Sequence, residues 1–91
     1  MTFSMIASPQ AKKELAALHE EDHIRCIADL GLLAMNPYPG YGGDKEKLKG
    51  YRNRYRIHIG RSYSAIYEID KKVKTVFIVA FGSIGDMHKQ S

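Results

Sequence analysis

Arg56 and His58 stand two residues apart in Tyr55-Arg56-Ile57-His58-Ile59, and both side chains can do chemistry at neutral pH. The segment alternates apolar and polar residues, the period of a strand with one face buried and the other in water. On that phasing Tyr55, Ile57 and Ile59 point at a core, while Arg56 and His58 share the opposite face. A guanidinium is a permanent cation with a forked donor set, and an imidazole exchanges its proton near neutral pH. The pair suits the binding of an anion beside a proton-transfer step. Cations gather around it: Lys45, Lys47, Lys49, Arg52, Arg54, Arg56 and Arg61 stand against Glu46 alone between residues 45 and 61. Such a cluster suits a polyanion, above all RNA, or an acidic protein. On charge alone, a solvated basic face accounts for it equally well.

The strand that carries the pair is the first half of a hairpin. Tyr63 to Ile69, rich in aromatic and β-branched residues, predicts the second half, and Gly60-Arg61-Ser62 the loop between them. Gly60 can take the positive φ that such a turn often needs. Upstream, Thr2 to Ala7 alternates and predicts a short first strand. Ser8-Pro9 then reads as a helix start, a serine cap followed by proline at the first helical position. Ala11, Leu15 and Leu18 give that helix a narrow apolar stripe, and it is expected to end near His19. A second helix follows, with Asp22 as a candidate cap and Asn36-Pro37 as its stop. Ile24, Ile27, Ala28, Leu32 and Met35 are expected to line its core face, with Leu30 and Leu33 widening the stripe. After a Pro/Gly/Tyr-rich loop from Pro37 to Asp44 comes the hairpin. Val73 to Phe81 then predicts a last strand, apolar from Val76 onward and so interior to its sheet. Strand, two-helix hairpin, then three antiparallel strands make an α+β fold, with helices on one side of a mainly antiparallel sheet.

Ninety-one residues with a net charge of +4 fit one domain, residues 1–91, large enough to bury a core unaided. Cys26 is the single cysteine, so no internal disulfide forms. No apolar run approaches the ~20 residues of a membrane span. MTFSMIASPQ lacks the basic and hydrophobic regions of a secretory signal. The expectation is a soluble cytoplasmic protein without a membrane partner. His19 and His23, taken as surface residues, and Cys26 do not make a metal-site spacing, and no cofactor is expected.

Several stretches together resemble the RelE/ParE superfamily of toxins from type II toxin–antitoxin pairs. They are SPQAKKELAAL after a first strand, a second helix ending in NP, KLKG before the hairpin, YRIHIG…YSAIYEID, and the GSIGDMH ending. The similarity spans essentially the whole chain, and the connection before the hairpin looks closer to RelE than to ParE. The resemblance implies a RelE-like fold and an antitoxin partner, expected to be acidic and to lie across the sheet and helices. Members similar to RelE cut messenger RNA on the ribosome without metal, whereas members similar to ParE inhibit DNA gyrase. The basic pair of the family's strand falls on Arg56 and His58, and the terminal tyrosine falls on His88. Two family arginines are replaced, by Ser64 and by Ile84. Arg61, in a turn one residue longer than usual, is a candidate substitute.

Cleavage of RNA by its own 2′-hydroxyl needs a base for the hydroxyl proton, cations for the phosphorane, and an acid for the leaving 5′-oxygen. The resemblance assigns His58 as base, His88 as acid, and Arg56 as the phosphate-binding cation. Lys47, Lys49, Arg52, Arg54 and Arg61 are the further candidates for holding RNA phosphates. Each also has a plainer reading: Arg56 and His58 as solvent-facing strand residues, His88 as part of a short polar tail. Tyr38 and Tyr41 could stack on bases or pack over the core edge. Three functions stay open: a ribosome-dependent mRNA endonuclease, an inhibitor of a protein target such as gyrase, or a degenerate member that only binds its antitoxin.

Overall fold

The computed structural model describes residues 2–40 and 45–85. Its elements run β1 (Ser4–Ala7), α1 (Pro9–Ala16), α2 (Glu20–Met35), β2 (Lys45–Lys47), β3 (Arg54–Ile59), β4 (Tyr63–Asp70) and β5 (Thr75–Ser83). The five strands form one sheet in the order β1-β5-β4-β3-β2. β1 lies parallel to β5, and every other neighbouring pair is antiparallel. The α+β expectation holds, with one strand added. Lys45-Glu46-Lys47 has no apolar alternation of its own, and it is a strand because it pairs with Ile57, Arg56 and Tyr55 of β3.

Ser8 caps α1 as its sequence foretold, its Oγ accepting from the Ala11 N–H at 3.1 Å. The same hydroxyl donates to the Val79 carbonyl at 2.8 Å. Val79 is the extra residue of a bulge, because Ile66 faces Ala80 while Tyr67 faces Ile78. Gln10 then exchanges two hydrogen bonds with the Phe81 backbone, at 3.0 and 3.1 Å. Together these contacts fix the start of α1 along β5 where β1 runs out.

The second helix differs from its expected orientation. Its buried residues are Cys26, Leu30, Leu33 and Ala34, whereas Ile24, Ile27, Leu32 and Met35 are exposed. The helix carries two apolar stripes, and periodicity alone cannot rank them. Tertiary contacts decide. Asp22 is not the cap; it lies in the first turn and accepts a hydrogen bond from the Tyr63 hydroxyl at 2.9 Å. His23 is half-buried rather than a free surface residue, its Nδ1 standing 2.9 Å from the Leu15 carbonyl. α1 ends at Ala16, and His19 is the N-cap of α2, without a side-chain hydrogen bond. Glu20, Glu21 and Asp22 in the first turn complement the positive end of the helix.

Ile57, Ile59, Ala65, Tyr67, Ile69, Val76, Ile78 and Phe81 meet Ala11, Leu15, Cys26, Leu30 and Leu33 in one core. Tyr67 is its anchor: fully buried, stacked on Tyr55 with centroids 5.5 Å apart, and donating to the Pro37 carbonyl at 2.7 Å. Burial pushes its phenol well above the usual tyrosine range. Tyr63 stacks on Phe81 in the same way at 5.7 Å. Tyr38 is half-buried against the core, edge-on to Phe3; Tyr41 lies outside the described residues.

Candidate functional site

With one face of the sheet taken by the helices, the alternation of β3 sends Arg54, Arg56 and His58 to the other. The register of the strands sets their neighbours there. One rung places Glu46, Arg56, Ile66 and Ala80 side by side. The next places Arg54 beside Glu68 and Phe77, and a third places His58 beside Ser64 and Gly82. Arg56 and His58 therefore share the open face, as their spacing implied.

The two arginines are not bare cations. Arg56 donates from Nε and Nη2 to Glu46 Oε1 at 2.9 and 2.5 Å. Arg54 donates from Nε and Nη2 to Glu68 Oε2 at 3.0 and 2.7 Å, and its guanidinium lies 4.7 Å over the Tyr51 ring. Sequence distance hides both pairs, since only the register brings Glu46 and Glu68 onto the arginine rungs. Lys47 lies in β2, and Lys49 and Arg52 lie in the turn before β3, all three exposed. Arg61 is exposed in the turn beyond Ile59, at the His58 end of the strand. A cation missed by sequence reasoning, Arg25 of α2, reaches that same turn: its Nη1 comes within 3.7 Å of a Cβ built on Gly60. Gly60 itself has φ +60°, as its place in the loop demanded. His88 lies outside the described residues.

His58 Nε2 and Ser64 Oγ are both shut off from water, and among the described residues neither has a hydrogen-bond partner. Buried polar atoms are nearly always paired, so two orphans on one rung mark an unusual place. β2 begins opposite Ile57, one residue short of His58. A cleft of about 210 Å³ lies on the helix side of this edge, lined by Asp29, Leu32 and Leu33 of α2, by Lys45 and Ile57, and by His58. A second, broader cavity of about 500 Å³ lies on the open face between Lys49, Tyr51, Arg54, Ile66 and Val79. Its apolar floor and cationic rim suit a flat, anionic ligand such as a nucleotide. Among the described residues no cluster of His, Cys, Asp and Glu could hold a metal ion, and no helix is long and apolar enough to cross a membrane.

A mixed sheet covered on one side by a two-helix hairpin is the fold of the solved RelE toxins that this chain resembles. The family described as "ParE toxin of type II toxin-antitoxin system, parDE" matches residues 5–86. The chain belongs to that family, within the RelE/ParE superfamily, and is RelE-like in structure. Among solved structures it is similar to the archaeal RelE–RelB complex from Pyrococcus horikoshii, at 28% identity and a TM-score of 0.78 over 93% of this chain and 98% of that one. It is also similar to the intact Escherichia coli RelBE toxin–antitoxin complex, at 21% identity and a TM-score of 0.74 over 88% and 94%. The isolated Escherichia coli RelE toxin matches at 18% identity and a TM-score of 0.76 over 97% of both chains. No curated protein sequence matches the chain.

Proposed function

We propose that this toxin is a ribosome-dependent, metal-independent mRNA endonuclease that blocks translation in the cytoplasm. The observation that carries the reading is the open sheet face, with Arg56 and His58 two residues apart and His58 Nε2 lacking a partner among the described residues. Nε2 of His58 is closed to solvent in the free protein, so the face opens over it on RNA binding before His58 takes the proton of the ribose 2′-hydroxyl. The oxygen attacks the adjacent phosphorus, and the bond to the 5′-oxygen breaks as His88 returns a proton to it. Arg56 holds the phosphate by its fork, with Arg54 and Arg61 adding charge and Lys47, Lys49 and Arg52 tracking the backbone. Arg56 must first leave Glu46. An ion pair whose carboxylate is half-exposed is worth at most about 1 kcal/mol, so a phosphate displaces it readily. The ribosome supplies alignment of hydroxyl and phosphorus.

An acidic antitoxin is the proposed partner; the archaeal and bacterial relatives are solved as complexes with theirs. It acts by covering the basic sheet face. The second reading, a gyrase inhibitor, draws on the family description and on the two family arginines replaced here by Ser64 and Ile84. The carboxylate pairing of Arg54 and Arg56 favours it too, since protein interfaces tolerate neutralised arginines.

Single-turnover cleavage of ribosome-bound mRNA by the wild type and His58→Ala tests the proposal. Loss of roughly two to four orders of magnitude is expected for the variant. A wild type that cleaves nothing but halts gyrase supercoiling would replace the first reading by the second.

A further inference from the structure

The outer face of α2 is apolar along most of its length and largely exposed among the described residues. Ile24 is 60% exposed, Ile27 48%, Leu32 64% and Met35 64%. Ala28 is exposed between them, and a Cβ on Gly31 would meet open space. Scattered apolar residues on a surface need no account, but a contiguous stripe on the order of 400 Å² marks an interaction site.

The stripe is its own mirror. Turn a second α2 antiparallel about a two-fold axis passing between Asp29 and Leu30. Ile24 then comes to the height of Met35 of the second copy, Ile27 to that of Leu32, and Ala28 to that of Gly31. All six residues are matched and none is left over. The two smallest lie nearest the axis, where helices must approach most closely. That is the self-complementarity an isologous interface requires.

Charge selects the same occupant. Glu20, Glu21 and Asp22 crowd the first turn, and Asp29 flanks the middle of the helix. An acidic partner would be repelled here. A second copy instead brings up the far end of its own α2, where Lys45 donates to the Asn36 carbonyl at 2.7 Å. Antiparallel packing sets that cation near the acidic first turn and opposes the two helix dipoles.

We propose that the outer stripe of α2 is a homodimer interface, formed by antiparallel pairing of α2 with α2 of a second copy. The buried area is small against the roughly 800 Å² per partner of a standard interface, so the dimer is a weak one. The basic open face of the sheet stays free in each copy. The inference stands independently of the nuclease reading.

Sedimentation velocity and light scattering of the purified chain, from a few to several hundred micromolar, test it. The mass should rise with concentration from 10.3 kDa towards twice that. Leu32→Glu and Ile27→Glu should remain monomeric throughout with unchanged circular dichroism, because about half or more of each side chain is exposed in the monomer. An Ala28→Cys/Gly31→Cys double variant should oxidise to a covalent dimer. A wild type monomeric at every concentration overturns the proposal, as does a dimer that survives Leu32→Glu. A monomer that loses antitoxin affinity on Leu32→Glu also overturns it, and hands the stripe to the antitoxin.

Discussion

Arg56 donates two hydrogen bonds to a single oxygen of Glu46, across the rung that joins β3 to β2. The contact holds the most suggestive cation of the open face in a neutral pair. If Arg56 binds phosphate, Glu46 competes with the substrate. Glu46→Gln should therefore strengthen RNA binding severalfold and leave stability within about 0.5 kcal/mol. Arg56→Ala should abolish toxicity on induced expression with the fold intact. Equal RNA affinity for the wild type and Glu46→Gln, measured by filter binding at fixed salt, would mean that the pair is structural.

Tyr67 should behave in the opposite way. Its ring is fully buried and its hydroxyl is the partner of the Pro37 carbonyl. Tyr67→Phe removes that hydrogen bond and leaves a buried carbonyl unpaired, a loss of about 1–3 kcal/mol in urea unfolding. Tyr67→Ala also opens a cavity and should lose about 3–5 kcal/mol. A near-neutral Tyr67→Phe would show that water replaces the hydroxyl.

Much of this arrangement could be read from the residues before any coordinates. The strict alternation of β3 settles which side chains share its open face, because a period of two leaves no choice. Ser8-Pro9 likewise announces α1, since cap and first-turn geometry are local. The face of α2 could not be read in this way. Cys26-Leu30-Leu33-Ala34 and Ile24-Ile27-Leu32-Met35 are both acceptable helical stripes, and the choice rests on contacts with Tyr63 and Leu15, each far from α2 or in another element. Nor could the sequence pair Arg54 with Glu68 or Arg56 with Glu46, since register is a property of the sheet. Within the site, Arg56 and His58 were visible; the carboxylates, Arg25 and the orphaned Ser64 hydroxyl were not.

Cys26 predicts an alkaline limit. Burial, then the neighbouring Asp22 and Asp29 carboxylates, push its thiol from 9.0 up to about 11. The unfolded chain loses that proton first, so it binds fewer protons than the native state between those values. Stability is thus fully present below pH 9 and falls as pH rises towards 11, by about 2–3 kcal/mol from this group. Tyr63 acts in the same direction, because its hydrogen bond to Asp22 raises its phenol. Melting temperatures of the wild type and Cys26→Ala from pH 8 to 11 should converge as pH rises. Parallel curves would mean that the thiol ionises freely in the native protein.

Ser64 carries the sharpest separation of stability from function. Its hydroxyl is wholly buried and unpaired among the described residues, directly across from His58. An unsatisfied buried hydroxyl costs about 1–3 kcal/mol, whereas the void left by deleting one oxygen costs only a few tenths. Ser64→Ala should therefore stabilise the fold, by about 1 kcal/mol, raising the melting temperature by roughly 4–8 °C. In the proposed reaction the orphaned pair has a use. Both atoms are closed to solvent in the free protein; once RNA binding opens the sheet face over them, a ribose 2′-hydroxyl can donate to His58 Nε2 while accepting from Ser64 Oγ. The more stable variant should then be the slower one, with single-turnover cleavage reduced about tenfold, the worth of one hydrogen bond made to the reacting oxygen. The conservative variant Ser64→Thr keeps the hydroxyl and should keep most of the rate if its added methyl is accommodated. A Ser64→Ala protein that is both more stable and equally fast would leave the hydroxyl without a part in catalysis.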